Sequence, residues 1–112
     1  MEGTDAVRAV YNAIDEKHGK DTTVLDINKV SIIADYFVIT SAGSPPQMRA
    51  IAEACEDALV GFGVALKHRE GFANSAWYLL DFGFIVVHIF NHNDRDFYDL
   101  RRIWADAPTL EF

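Results

Sequence analysis

The stretch WYLLDFGFIVVHIFNHNDRDFYDLRRIW, residues 77–104, decides the fold. Its first half holds two strongly apolar segments, 77–81 and 84–90, on either side of Phe82-Gly83. That pattern predicts a β-hairpin with the glycine in the turn. Ile85, Val86, Val87, Ile89 and Phe90 are nearly continuous, as a central strand covered on both faces requires. Its second half opens at Asn93 or Asp94 as a helix cap and carries Phe97, Tyr98, Leu100 and Trp104. This predicts a helix that stops before Pro108. No pair of catalytic groups is spaced there in a recognisable way. Aromatic surface, a basic residue and an acidic strand end favour docking over turnover.

Upstream, Thr4 is the expected N-cap of a first helix, with Val7, Val10, Tyr11 and Ile14 on one face and a stop near Gly19. A β-branched strand follows at 22–27 (TTVLDI), then a connection over 28–34 and a second strand at 35–40 (DYFVIT). The loop 41–46 (SAGSPP) ends in prolines, which suit the first turn of a helix. That helix runs to 59 or 60. Met48, Ile51, Cys55, Ala58, Leu59 and Phe62 form its apolar stripe, and Glu53, Glu56 and Asp57 lie elsewhere. Gly61 and Gly63 end it. A short strand is expected at 64–68, and a loop at 70–76.

The predicted order is α-β-β-α-β-β-β-α. Strands on both sides of the 45–60 helix imply a crossover with parallel pairing, while the hairpin is antiparallel. The fold class is α+β: a mixed five-stranded sheet flanked by helices. No repeat, linker or low-complexity run divides the chain, so residues 1–112 read as one domain, with 108–112 as a flexible tail.

Half of the residues are apolar and a quarter are charged, which is the composition of a globular protein. Ten basic against seventeen acidic residues give a net charge of −7. Bulk charge therefore argues against binding a phosphate backbone, which needs clustered Lys and Arg. A basic protein is an acceptable partner. Cys55 is the sole cysteine. It can form no intrachain disulfide and supports no cysteine-based metal site, so a reducing compartment fits. The N-terminal segment carries no signal or transit pattern, and no apolar run approaches the ~18 residues of a membrane span. The expected location is cytoplasmic, with no membrane partner.

Each candidate for chemistry has a simpler explanation. His88 and His92 are four apart, but His88 falls in a strand, so the pair does not share a face as on a helix. His88 reads as an edge or packed strand residue, and His18 and His68 as surface residues. Asp81-Phe82-Gly83 matches a kinase triplet, yet no Gly-rich nucleotide loop or HRD segment accompanies it. Gly43-Ser44 precedes a helix, where an anion can bind. The following strand lacks the Asp-x-Asp pair that a nucleotidyl-transfer site needs to hold metal. Asp94-x-Asp96 lies at a helix start, where Asp is favoured as a cap. Cys55 sits on a buried helical stripe with no basic neighbour and reads as core. Asp26 and Asp35 end and begin strands; turn capping explains them, and an acidic rim is the functional alternative. Trp77 and Tyr78 point to opposite faces of their strand. Either Trp77 is core, or it is exposed aromatic surface of the kind that dominates interfaces. No cofactor, no metal and no enzymatic activity are expected.

Taken in order, the motifs resemble the ribosomal silencing factor family, also called the Iojap family. They are Asp21 to Asp26, Ser31 with Ala34 to Ile39, Ser44 with Ala50 to Ala52, Trp77 with Leu79 to Asp81, Gly83, Val86 to Phe90, Arg95 with Phe97, Tyr98 and Leu100, and Trp104 to Asp106. The resemblance covers about residues 5–107. It implies a nucleotidyltransferase-like core without the catalytic carboxylates. It also implies docking on the large ribosomal subunit through one of its basic proteins, universal large-subunit protein fourteen, so that the small subunit is sterically kept from joining. A homodimer off the ribosome is implied too, with no sequence-specific nucleic-acid binding. The docking role then falls on Trp77, Leu79 and Asp81. Asp35 completes an acidic face, Tyr78 is a weaker candidate, and Arg95 and Tyr98 either border the surface or brace the last helix on the sheet. Three positions depart from the family pattern: Pro46 replaces an arginine, Phe84 an aspartate and Arg101 a glutamate. Phe84 could extend an apolar patch for a dimer. Two other readings compete, a divergent nucleotidyltransferase-like enzyme and a homodimeric scaffold without ribosome binding.

Overall fold

Ser44 begins the element that organises the sheet. In the computed structural model, which describes residues 2–27, 35–71, 77–91 and 109–110, Ser44 is the N-cap of helix α2 (Pro45–Val60), and its Oγ accepts a hydrogen bond from Gln47 N. The Gln47 side chain reaches back to accept from Gly43 N at 2.7 Å, a variant of the capping box in which the return bond goes to the residue before the N-cap. Its Nε2 also donates to the carbonyls of Lys17 and His18, the first residues after helix α1 (Glu2–Glu16). One glutamine thus ties the start of α2 to the end of α1. Helix α1 begins ahead of Thr4, so Thr4 lies inside it rather than capping it. Helix ends carry a weaker signal than helix faces.

The strands are β1 (Lys20–Asp26), β2 (Tyr36–Ala42), β3 (His68–Glu70), β4 (Trp77–Asp81), β5 (Ile85–Asn91) and the two-residue β6 (Thr109–Leu110). They form one sheet in the order β3-β4-β5-β2-β1-β6. The β2–β5 pair is parallel and the other pairs are antiparallel, so the sheet is mixed as expected. β6 comes from the segment read as a tail and pairs with β1. The helix expected after residue 93 and the connection over 28–34 lie outside the described residues.

Two local expectations change. The strand expected at 64–68 forms at His68–Glu70 instead. Val64 and Leu66 are half-buried against the core, and Val64 N bonds Leu59 O at the end of α2, so this stretch is a lead-in packed under the sheet edge. The parallel partner of β2 is not the strand after α2 but β5, two strands later. The reason is burial. β5 is apolar along nearly its whole length and needs cover on both faces. β3 is three exposed polar residues, which suit a sheet edge.

Both described helices pack on one face. Val7, Val10 and Ile14 of α1 and Met48, Ile51, Ala52, Cys55 and Leu59 of α2 meet Val38, Tyr78, Leu80, Ile85, Val87 and Ile89. Burial lifts the Cys55 thiol to about 12, so it stays protonated and acts as a small core side chain. Gly19 lets α1 turn into β1, since a Cβ there would sit 2.4 Å from Ile14 Cγ2 and 2.7 Å from Thr40 Oγ1. A second cluster occupies the opposite face of the sheet: Leu25, Ile27, Phe37, Ile39, Val86 and Phe90, with Leu79 packed against it.

Candidate functional site

β4 alternates strictly. Tyr78 and Leu80 are buried on the helix side, while Trp77, Leu79 and Asp81 face the other way. The hairpin register places Trp77 opposite Phe90, Leu79 opposite His88 and Asp81 opposite Val86. On the other side of β4, Glu70 pairs with Leu79 and His68 with Asp81. A face results with an aromatic end at Trp77 and an acidic end at Asp81.

Trp77 is 40% exposed. Its indole lies nearly parallel to the rings of His88 and Phe90, with centroids 5.8 and 5.9 Å away. Phe37 meets His88 edge-on at 4.9 Å. Trp77 Nε1 donates to His88 Nδ1 at 3.2 Å. That bond assigns the neutral tautomer of His88, with its proton on Nε2. His88 is 5% exposed, and its Nε2 is buried without a hydrogen-bond partner among the described residues. Burial alone pushes the imidazole down to about 4, so the ring is neutral at physiological pH.

Asp81 has a local task as well. Its Oδ1 accepts from Gly83 N at 2.8 Å and closes the turn, where Gly83 has φ +97°. Asp35 comes to the same end of the sheet, since its backbone N–H donates to Phe84 O beside that turn.

Trp77, Leu79, Asp81 and Asp35 are therefore brought onto one side or one end of the sheet. Tyr78 is not. It is 1% exposed, packed in the helix-side core with the Arg69 guanidinium 5.4 Å from its ring centre, so its ring is not on the outer face with the other candidates. Phe84 packs half-buried against that same core and does not form an outward patch. Pro46 stands in the first turn of α2. Arg95, Tyr98, His92 and Arg101 lie outside the described residues. Two residues of this face escaped the sequence reading: Glu70, on an edge strand expected two residues earlier, and His88 as the partner of Trp77. The second was recoverable, because the hairpin register makes 77 and 88 diagonal cross-strand neighbours. Among the described residues, no group of three or more His, Cys, Asp or Glu could hold a metal ion. No described helix is long and apolar enough to cross a membrane.

Fold and site together define a small α+β protein with an aromatic patch on the sheet face opposite α1 and α2. A family model described as "Ribosomal silencing factor during starvation" matches residues 1–112. The chain is 40% identical over 99 residues to the ribosomal silencing factor of Bacillus subtilis, covering 88% of this chain and 84% of that one. It is 33% identical over 104 residues to the chloroplastic protein Iojap of Zea mays, covering 92% of this chain and 45% of that longer one. A crystal structure from Bacillus halodurans superposes with a TM-score of 0.85 at 30% identity, covering 97% of this chain and 99% of that one. The chain belongs to the ribosomal silencing factor family.

Proposed function

We propose that this chain is a ribosome-binding translational repressor. It docks on a basic protein of the large subunit, universal large-subunit protein fourteen, and sterically keeps the small subunit from joining. The observation that carries this reading is Trp77: a large aromatic left 40% exposed beside half-buried Leu79, on a sheet face whose remaining described apolar side chains, Leu25, Ile27, Phe37, Ile39, Val86 and Phe90, are buried. Tryptophan in such a setting is the commonest kind of binding anchor. Leu79 flanks it, and Asp81, Glu70 and Asp35 supply negative charge suited to a basic partner. Charge of that kind speeds and orients encounter more than it sets affinity. The mechanism requires no reaction, since occupation of the joining surface is sufficient.

A sucrose-gradient experiment tests it. Purified large and small subunits are mixed under joining conditions with and without the protein. The expected result is cosedimentation with the large subunit and a smaller joined-ribosome peak. Protein that stays at the top of the gradient with joining unaffected overturns the proposal and favours a self-association role for the patch.

A further inference from the structure

Position 88 lies between Val87 and Ile89 in a strand where every other residue from 85 to 90 is apolar and buried. An apolar side chain would satisfy the sheet there. Histidine leaves a buried Nε2–H without a partner among the described residues, which is a destabilising arrangement. The contact that makes use of an imidazole is the one to Trp77, whose indole N–H ends on Nδ1. The stacking with Phe90 and the edge contact from Phe37 hold the imidazole in its plane. An exposed tryptophan otherwise samples several rotamers, and the partner's binding energy must offset their loss.

We propose that His88 is the positioning residue of the docking surface: it fixes the Trp77 indole before the partner arrives and occupies its N–H. The inference rests on the docking role of Trp77. Its consequence for recognition is that the anchor meets its partner through the indole ring. The matching chemistry on the partner is an aliphatic side chain or a lysine or arginine laid on the aromatic surface, not a hydrogen-bond acceptor.

The test uses the whole chain with purified large ribosomal subunits, together with the hydrogen-exchange rate of the Trp77 indole N–H by NMR. Its signal is assigned from the Trp77→Phe spectrum. His88→Phe keeps an aromatic ring and removes the acceptor. His88→Asn places an amide oxygen near the position of Nδ1. The expected result is slow indole exchange in the wild type and faster exchange in His88→Phe, with an unfolding midpoint no lower. Binding in that variant weakens by roughly five- to tenfold, as for one lost hydrogen bond, and His88→Asn recovers both signals. Fast indole exchange in the wild type overturns the inference without recourse to any variant. So does His88→Phe binding as tightly as the wild type. A wild type that does not bind the subunits at all sinks the docking reading itself, which is distinct from a wild type that binds and a His88→Phe variant that binds equally well.

Discussion

On the helix side of the sheet, Tyr78, Leu80, Ile85, Val87 and Ile89 are sealed under α1 and α2. The buried Thr40 hydroxyl near them is paired with Thr22 Oγ1 at 2.9 Å and with Lys20 O at 3.3 Å. On the opposite side the same strands present Leu79, Val86 and Phe90, but also a histidine with one nitrogen unpaired among the described residues and a tryptophan partly in water. Residues adjacent along β4 therefore have opposite duties. Tyr78 and Leu80 hold the molecule together, and Trp77 between strand end and solvent is left for something else. A protein selected only for stability would have no use for the second arrangement, since an unpaired buried N–H and an exposed indole both work against it.

The two faces are told apart most readily by a pair of truncations on β4. Leu80→Ala removes a fully buried side chain and should cost about 2–5 kcal/mol in denaturant unfolding. A loss below about 1 kcal/mol would mean that the helix-side core is not the stabilising one. The outer face carries the next largest effect, and it is pH-dependent. His88 binds its proton at about 4 when folded and near 6.5 when unfolded. Between those values the unfolded chain holds the extra proton, so stability falls as the pH drops from 6.5 through 4. The change is about 3 kcal/mol, from roughly 1.4 kcal/mol for each pH unit of displacement. His88→Phe should lose that component of the acid sensitivity while keeping whatever the carboxylates contribute. Equal pH–stability curves for the two proteins would contradict the buried, neutral imidazole. Trp77→Ala comes third. It should weaken binding to large subunits by about 2 kcal/mol or more, with a smaller loss of stability. The reverse balance, stability lost and binding kept, would make Trp77 core and erase the difference between the faces.

How much of this was legible depends on which force set each feature. The hairpin, the central β5 and the long α2 follow from local periodicity, and the sequence shows that directly. The alternation of Trp77 and Tyr78 was equally plain, but which face the helices would cover was not. That is decided by α1 and α2 packing together on one side, a tertiary choice that strand periodicity does not record. Tyr78 therefore stood among the docking candidates, while its ring is buried on the helix side. Phe84 misled in the same way, because a residue beside a turn looks exposed until the turn is folded back on the core. β3 begins four residues and ends two residues later than expected, since Val64 and Leu66 obey strand alternation while serving as a packed approach to the edge. The Trp77–His88 bond needed the register, and the register needed the turn to be placed within one residue.

The smallest effect sharpens the comparison most, because it separates two duties held by one carboxylate. Asp81 Oδ1 accepts the Gly83 N–H and so closes the β4–β5 turn. Asp81 also stands on the outer face, with His68 opposite it on β3. Asp81→Asn keeps an acceptor oxygen in nearly the same place and removes the charge. If the turn is the whole role, unfolding should shift by less than about 0.5 kcal/mol and ribosome binding should not change. If the charge also guides a basic partner, the equilibrium shift remains small, but association slows and its rate becomes less dependent on salt, since part of the long-range attraction is gone. Stopped-flow association at low and high ionic strength reads this directly. Dissociation should be nearly unaffected, because a rim charge acts on the approach more than on the docked state. An Asn variant with unchanged association at every salt concentration would confine Asp81 to the turn and leave Trp77 and Leu79 as the whole of the outer face's function.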